Sequence, residues 1–325
     1  MPMSESLRQP CRWCGKLNRL KEHPEQRCSR CRLILAGERH HKWNQVHPDS
    51  YIHPLDRQAL QALRAIPGVD MILRKLLELT QESYFRTLLM AQAVQVSGEQ
   101  YPELDILLTV VCQTLGLPRP ELYVTLEDPF GGGMSANAFT IGAEHPLIVM
   151  HAPLLERLTP EETLAVLAHE VGHIHCQHML YHTAARVLGM AMGMLGKTIG
   201  GMLEMVGTPI RLALMAWYQK AELSCDRTAL LVVQDARVVT SALMKICGAA
   251  EGYTLDLDSF IAQAKRFDER NAENLFNRVW STVLAAKSSH PFPVWRVGEL
   301  LSWAEQTDEK SYAVVLKSLQ VWERA

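Results

Sequence analysis

The chain has 325 residues, length for about two domains at roughly 150 residues each. With 48% apolar and 21% charged residues it reads as globular, neither a disordered chain nor a multi-span membrane protein. A formal net charge of -2 argues against a chain that works mainly by binding polyanions. That near-balance is a cancellation: residues 1–42 carry ten Lys/Arg against four Asp/Glu, and the rest carries 23 against 31.

The basic head holds Cys11-x-x-Cys14-Gly15 and Cys28-x-x-Cys31, four of the eight cysteines. Each pair can supply two thiolates from one tight turn, so Cys11, Cys14, Cys28 and Cys31 are expected to form a closed, structural zinc ribbon. A head this small has little core of its own, and the metal would carry much of its stability. Its surplus of Arg/Lys beside Trp13 and Trp43 is open to nucleic acid, an acidic membrane surface or a protein. A basic face docked on the acidic body or on a protein partner is preferred to nucleic acid. The sequence divides into a ribbon (1–42), a linker with Pro48 and Pro54 (43–54) and a large domain (55–325). The N-terminus lacks the apolar stretch of a secretory signal, so a cytoplasmic location without disulfides is expected.

Helical periodicity begins at Leu55, with segments 55–65 and 70–96 separated by Pro67-Gly68 and another running from Pro102 to Gly116. Strands are predicted over 122–126, 137–141 and 147–150. Thr159-Pro-Glu-Glu162 then opens a helix with an N-cap, Pro at the first position and a capping box. Residues 183–218, with six Met and six Gly, are interrupted by Lys197, Glu204 and Arg211, and read as a helical hairpin rather than a span. Methionine-rich surface is adaptable, so a lid, a groove or peripheral membrane contact stays open there. The last third reads as helices, broken at Ser288–Pro293.

The chemistry lies in His169-Glu170-Val-Gly-His173. On a helix the two histidines, four apart, share a face and can reach one Zn2+, with Glu170 beside them to take a proton from the metal's water. Two histidines do not complete a catalytic zinc site, which takes three protein ligands and an open position. In a later helical segment Glu222 and Asp226 are again four apart. One carboxylate can bind the metal while the other accepts the free ring N–H of a ligand histidine.

Four ordered motifs, Asn137-Ala138-Phe139, His169-Glu-x-x-His173, Glu222-x-x-x-Asp226-Arg227 and His290-Pro with Arg296, resemble the M48 metallopeptidases, a group of gluzincins, over roughly 55–300. The resemblance implies an α+β, mostly helical peptidase with a small sheet. It implies His169, His173 and Glu222 as ligands of a catalytic zinc, Glu170 as general base and Asp226 as the partner of His169. The Asn137 segment would be an edge strand pairing with extended substrate, His290 would face the reacting carbonyl, and Arg296 would lie near substrate or pair with a carboxylate. Some relatives carry transmembrane helices where 183–218 stands, so a soluble or peripheral branch is implied. Cys225 sits where many relatives have Ala, and no function is read into it.

The expectation is thus a two-zinc endopeptidase acting on extended or unfolded polypeptide. The rivals are a non-hydrolysing zinc-fold scaffold and a ribbon-led binding module. His175 and His178 fall off the ligand face and read as ordinary surface or hydrogen-bonding residues, and Cys112, Cys176 and Cys247 as small core residues.

Overall fold

A computed structural model of the chain describes residues 8–19, 26–35, 46–80, 82–129, 136–194, 200–250, 252–273, 291–306 and 311–316. The glycine loop at 131–133 and His290 lie outside them.

The head is built from two knuckles. Strands β1 (Arg8–Pro10) and β2 (Leu17–Arg19) pair antiparallel, and the turn between them carries Cys11 and Cys14. Gly15, at φ +72°, closes that turn and donates to the Cys11 carbonyl. The second knuckle is closed by the Arg27–Ile34 bridge around Cys28 and Cys31. Asn18 joins the two: its carbonyl accepts from the Ser29 amide at 2.9 Å and its amide donates to the Lys16 carbonyl at 2.7 Å.

Next come α1 (Pro54–Arg64), α2 (Val69–Thr80) and α3 (Glu82–Gln92). The segment expected as one helix to residue 96 ends instead in the short strand β3 (Val94–Gln95), which pairs with β4. Helix α4 (Pro102–Leu115) stops at Gly116, whose φ of +70° forms the C-cap. The strands β4 (Glu121–Thr125), β5 (Ala138–Ile141) and β6 (Leu147–His151) fall within a residue or two of the predicted limits. With β3 they form a sheet in the order β3-β4-β6-β5. β4 and β6 are parallel, and β5 is the antiparallel edge strand.

Alternation along these strands divides the interior in two. Ala138, Ile148, Met150, Leu122 and Val124 face one core with α4, the zinc-motif helix and the head. Phe139, Ile141, Leu147, Val149 and Tyr123 face another, shared with α1–α3 and the hairpin that follows the motif helix. Its three longer strands are buried on both faces and mostly apolar, while β3 at the edge is exposed.

After the single-turn helix α5 (Ala152–Leu155), α6 (Pro160–His175) starts with the expected capping box: Thr159 Oγ1 accepts from the Glu162 amide and Glu162 accepts from the Thr159 amide at 2.7 Å. The segment 183–218 falls in α7 (Met179–Met194) and α8 (Gly200–Val233), which pack through Tyr181, Ala184 and Leu214, Trp217. No described helix is long and apolar enough to cross a membrane. Helices α9 (Ala236–Gly248), α10 (Leu257–Glu273) and α11 (Pro293–Glu305) complete the body. Cys112 and Cys176 are buried as expected, but Cys247 is exposed, in the last turn of α9 and to the side of the stripe of Val239, Ala242 and Ile246 that meets the core.

The stretch read as a linker is packed over its described part. Val46 and Tyr51 are buried in the same core as the head's Leu33 and Leu35 and the body's Leu104 and Leu164. The head also docks by charge. Glu161, in the first turn of α6, pairs with Arg27 at 2.9 Å and accepts from the Ile34 amide at 2.9 Å, and Arg32 pairs with Glu103.

Candidate active site

Helices α6 and α8 cross where residue 172 is glycine. A Cβ there would stand 2.9 Å from Thr228 Oγ1 and 3.2 Å from the Cys225 Cα, so any larger residue would push the helices apart. This close approach brings the motif residues of α6 against Glu222 and Asp226 of α8.

His169 Nε2 lies 3.3 Å from Glu222 Oε2, and His173 Nε2 lies 3.4 Å from Glu222 Oε1. Two imidazole nitrogens thus face the two oxygens of one carboxylate. Behind them, His169 Nδ1 is 3.0 Å from Asp226 Oδ1. Asp226 is gripped bidentately by Arg296 of α11, at 2.8 and 2.6 Å, and Arg296 also reaches Glu222 at 3.2 Å. Arg296 is buried and spent on these acids, so it does not offer a free charge to substrate; it braces the site.

The electrostatics favour a cation at this point. Burial works against a charged His169 ring, but Asp226 and Glu222 prevail and hold it up at about 9. Burial likewise opposes the Glu222 and Asp226 carboxylates, and the histidines and Arg296 override it and leave both below the ordinary carboxylate range. The fit to zinc rests on donor chemistry: two imidazoles and a carboxylate, with His173 and Glu222 buried and His169 partly exposed, and with the remaining carboxylate free to orient a ring.

Glu170 borders the same small cavity of about 70 Å³, with Asn137, Ala138 and Phe139 of the edge-strand segment on its wall. The sequence did not single out Thr140, whose hydroxyl donates to Glu170 Oε2 at 2.6 Å and ties the edge strand to the acid. Its only sequence signal was a polar residue in an otherwise apolar strand. Two further residues reach the site. His182 lies with its ring 4.3 Å from that of His173, stacked on Tyr218, and ring nitrogens of His169 and His173 come within 4.8 Å of the Cys225 thiol. His290 falls outside the described residues.

In the head, Cys11, Cys14, Cys28 and Cys31 gather with sulfurs 3.5 Å apart in the Cys11–Cys31 pair and 3.6 Å in the Cys14–Cys28 pair. The Cys11–Cys31 hydrogen bond lowers the Cys11 thiol and raises that of Cys31, and burial raises Cys14, so without a metal the cluster shares protons rather than ionising throughout. Four thiols from two knuckles fit a structural zinc.

A helical body on a small sheet, with paired histidines and a carboxylate converging beside an edge strand, is the architecture of a metallopeptidase. The peptidase family M48 profile matches residues 99–304, and the chain belongs to that family. It is 35% identical over 267 residues, 81% of this chain and 74% of the other, to the plastoglobule-localized metallopeptidase 48, chloroplastic, of Arabidopsis thaliana. M48 members use zinc, and the chain is a metalloprotease.

Proposed function

We propose that this metallopeptidase is an endopeptidase for extended segments of unfolded or damaged protein, with one catalytic and one structural zinc. His169, His173 and Glu222 hold the catalytic ion, and Asp226, set by Arg296, fixes the tautomer of His169. When bound, the metal supplies Lewis acidity to a peptide carbonyl and lowers the pKa of its water to about 7. Glu170 takes a proton onto its carboxylate and returns it to the leaving amine, and the Thr140 hydroxyl holds that carboxylate in place. The outer side of β5 carries no strand among the described residues, and an extended substrate would add there through Asn137, Ala138 and Phe139. His290 is assigned to the oxyanion. The cysteine head holds the second zinc and meets the body, or a protein partner, through its basic face. We place the chain in the cytoplasm, with 183–218 as a lid, a substrate groove or a segment for peripheral contact with a lipid surface.

The observation that carries this reading is the convergence of both histidine Nε2 atoms on Glu222 beside Glu170. Metal quantification with a casein-type proteolysis assay tests it. Wild type should hold two zincs per chain, and a four-Cys→Ser head variant and His169→Ala one each, with hydrolysis lost in His169→Ala. Glu170→Gln should keep both zincs and lose hydrolysis. One zinc in wild type, hydrolysis that survives His169→Ala, or full turnover by Glu170→Gln would overturn the assignment.

A further inference from the structure

A histidine that binds a metal through one nitrogen almost always gives its other N–H to a carboxylate, a carbonyl or water. For His169 that partner is Asp226. Among the described residues no carboxylate bonds to Nδ1 of His173; it faces Nδ1 of His178 at 3.4 Å, the long end of a hydrogen bond. His178 Nε2 in turn lies 3.0 Å from Asp56 Oδ2. Asp56, from the first turn of α1, is held by the Ser224 hydroxyl at 2.6 Å and the Trp217 indole N–H at 3.0 Å. His178 and Asp56 are each 1% exposed.

The backbone explains why His178 stands there. Helix α6 ends in a Schellman turn: Gln177 adopts φ +58°, its amide donates to the Ile174 carbonyl, and the His178 amide donates to the His173 carbonyl at 2.9 Å. The turn folds the fifth residue after His173 back beneath the His173 ring. A helical-wheel argument puts His178 off the ligand face, which is correct, but the helix has already ended, and the side chain arrives behind the ligand rather than beside it.

We infer that His178 and Asp56 are positioning residues that set the tautomer and orientation of His173, through an imidazole-to-imidazole-to-carboxylate relay. The inference rests on the reading of His173 as a metal ligand through Nε2. Only one placement of protons then satisfies the chain. His173 carries its proton on Nδ1 and donates to Nδ1 of His178. His178, which must accept there, carries its own proton on Nε2 and donates it to the Asp56 carboxylate. The opposite tautomer of His178 would set two N–H groups against each other. The Cys225 thiol, 3.8 Å from the same His178 nitrogen, is a small neighbour that leaves this contact room.

Zn2+ titration of the metal-stripped full chain, with a competing chromophoric chelator, tests the relay without reference to turnover. His178→Phe keeps the ring volume and removes the acceptor; it should weaken uptake at the His173 site by about 10- to 100-fold while the cysteine site fills as in wild type. His178→Asn places an amide oxygen where Nδ1 stood and should recover most of that loss, which a purely structural role for the ring would not produce. Histidine 15N–1H correlation spectra of zinc-loaded wild type should show His178 as the Nε2–H tautomer and His173 as Nδ1–H. This readout decides the matter if His178→Phe does not fold. A folded His178→Phe with wild-type affinity, or His178 protonated on Nδ1, overturns the inference. A wild-type chain that takes up zinc only at the cysteines overturns instead the ligand assignment on which it rests.

Discussion

Gly172→Ala tests whether the catalytic geometry depends on the α6–α8 crossing. Two effects oppose one another. Alanine in place of glycine within a helix stabilises by about 1 kcal/mol. Against that, the added methyl would meet Thr228 Oγ1 at 2.9 Å, Thr228 Cβ at 3.0 Å and the Cys225 Cα at 3.2 Å. Overpacking of this kind costs about 1–3 kcal/mol. The last of these is a backbone atom that no side-chain rotation can move aside, so the crowding should win by about 1 kcal/mol, a fall of roughly 1–2 °C in Tm for a chain of this size. The more telling effect is functional. Spreading the helices by a few tenths of an ångström moves His169 and His173 away from Glu222, and sites of this kind tolerate about 0.5 Å. Zinc affinity at this site should fall by about tenfold, or ~1.4 kcal/mol, with the cysteine site unaffected. Adding Thr228→Ala should recover only part of the loss, since Cys225 remains in the way. Differential scanning calorimetry and zinc competition on the two variants measure both quantities. A Gly172→Ala chain that melts at or above wild type and binds zinc equally well would refute the argument.

The remaining predictions concern the supports of the site. Burial holds the His175 ring down at about 4, with Nδ1 2.5 Å from the Tyr51 hydroxyl. The folded state therefore resists protonating a ring that titrates near 6.5 when unfolded, so stability present above pH 6.5 should be lost as pH falls towards 4. The loss is on the order of 3 kcal/mol; His175→Asn should remove this pH dependence from thermal melts, and an unchanged wild-type profile in that variant would count against it. Arg296→Met leaves Asp226 and Glu222 as buried, uncompensated charges and should cost about 3–5 kcal/mol in chemical denaturation. Arg296→Lys should fold but bind zinc more weakly at the histidine site, because the bidentate grip on Asp226 is lost; equal affinity would refute this. Glu161→Ala removes both the Arg27 pair and the acceptor for the Ile34 amide. The head should then be released faster in limited proteolysis, while a wild-type cleavage rate would show that apolar packing alone holds it.

The sequence by itself determined the local features. The capping box at Thr159 places the start of α6, and spacings of four on a helix put His169 with His173 and Glu222 with Asp226. The paired Cys-x-x-Cys turns define the head. These are legible because the physics behind them is local: helical period, turn chemistry, and the ligand count a metal demands. The division of labour between Glu222 and Asp226 is not local. It follows from α11 delivering Arg296 onto Asp226, which leaves the Glu222 carboxylate facing the two ring nitrogens.

What only the tertiary structure decided lies at long sequence separation or past the end of an element. Thr140 reaches Glu170 from the sheet edge, and Asp56 reaches His178 from a helix more than a hundred residues earlier. Periodicity put His178 off the ligand face but gave no sign that it returns behind His173, because α6 ends at His175 and a Schellman turn through Gln177 follows. The apparent linker turned out to carry Tyr51 into the core, since a proline-containing stretch is extended by local preference but is buried or exposed according to what packs over it. Local pattern thus named the groups that we propose as metal ligands. The contacts that aim them come from the packing of α1, α8, α11 and the sheet edge around α6, where burial makes each unpaired polar group costly and so leaves one arrangement of partners.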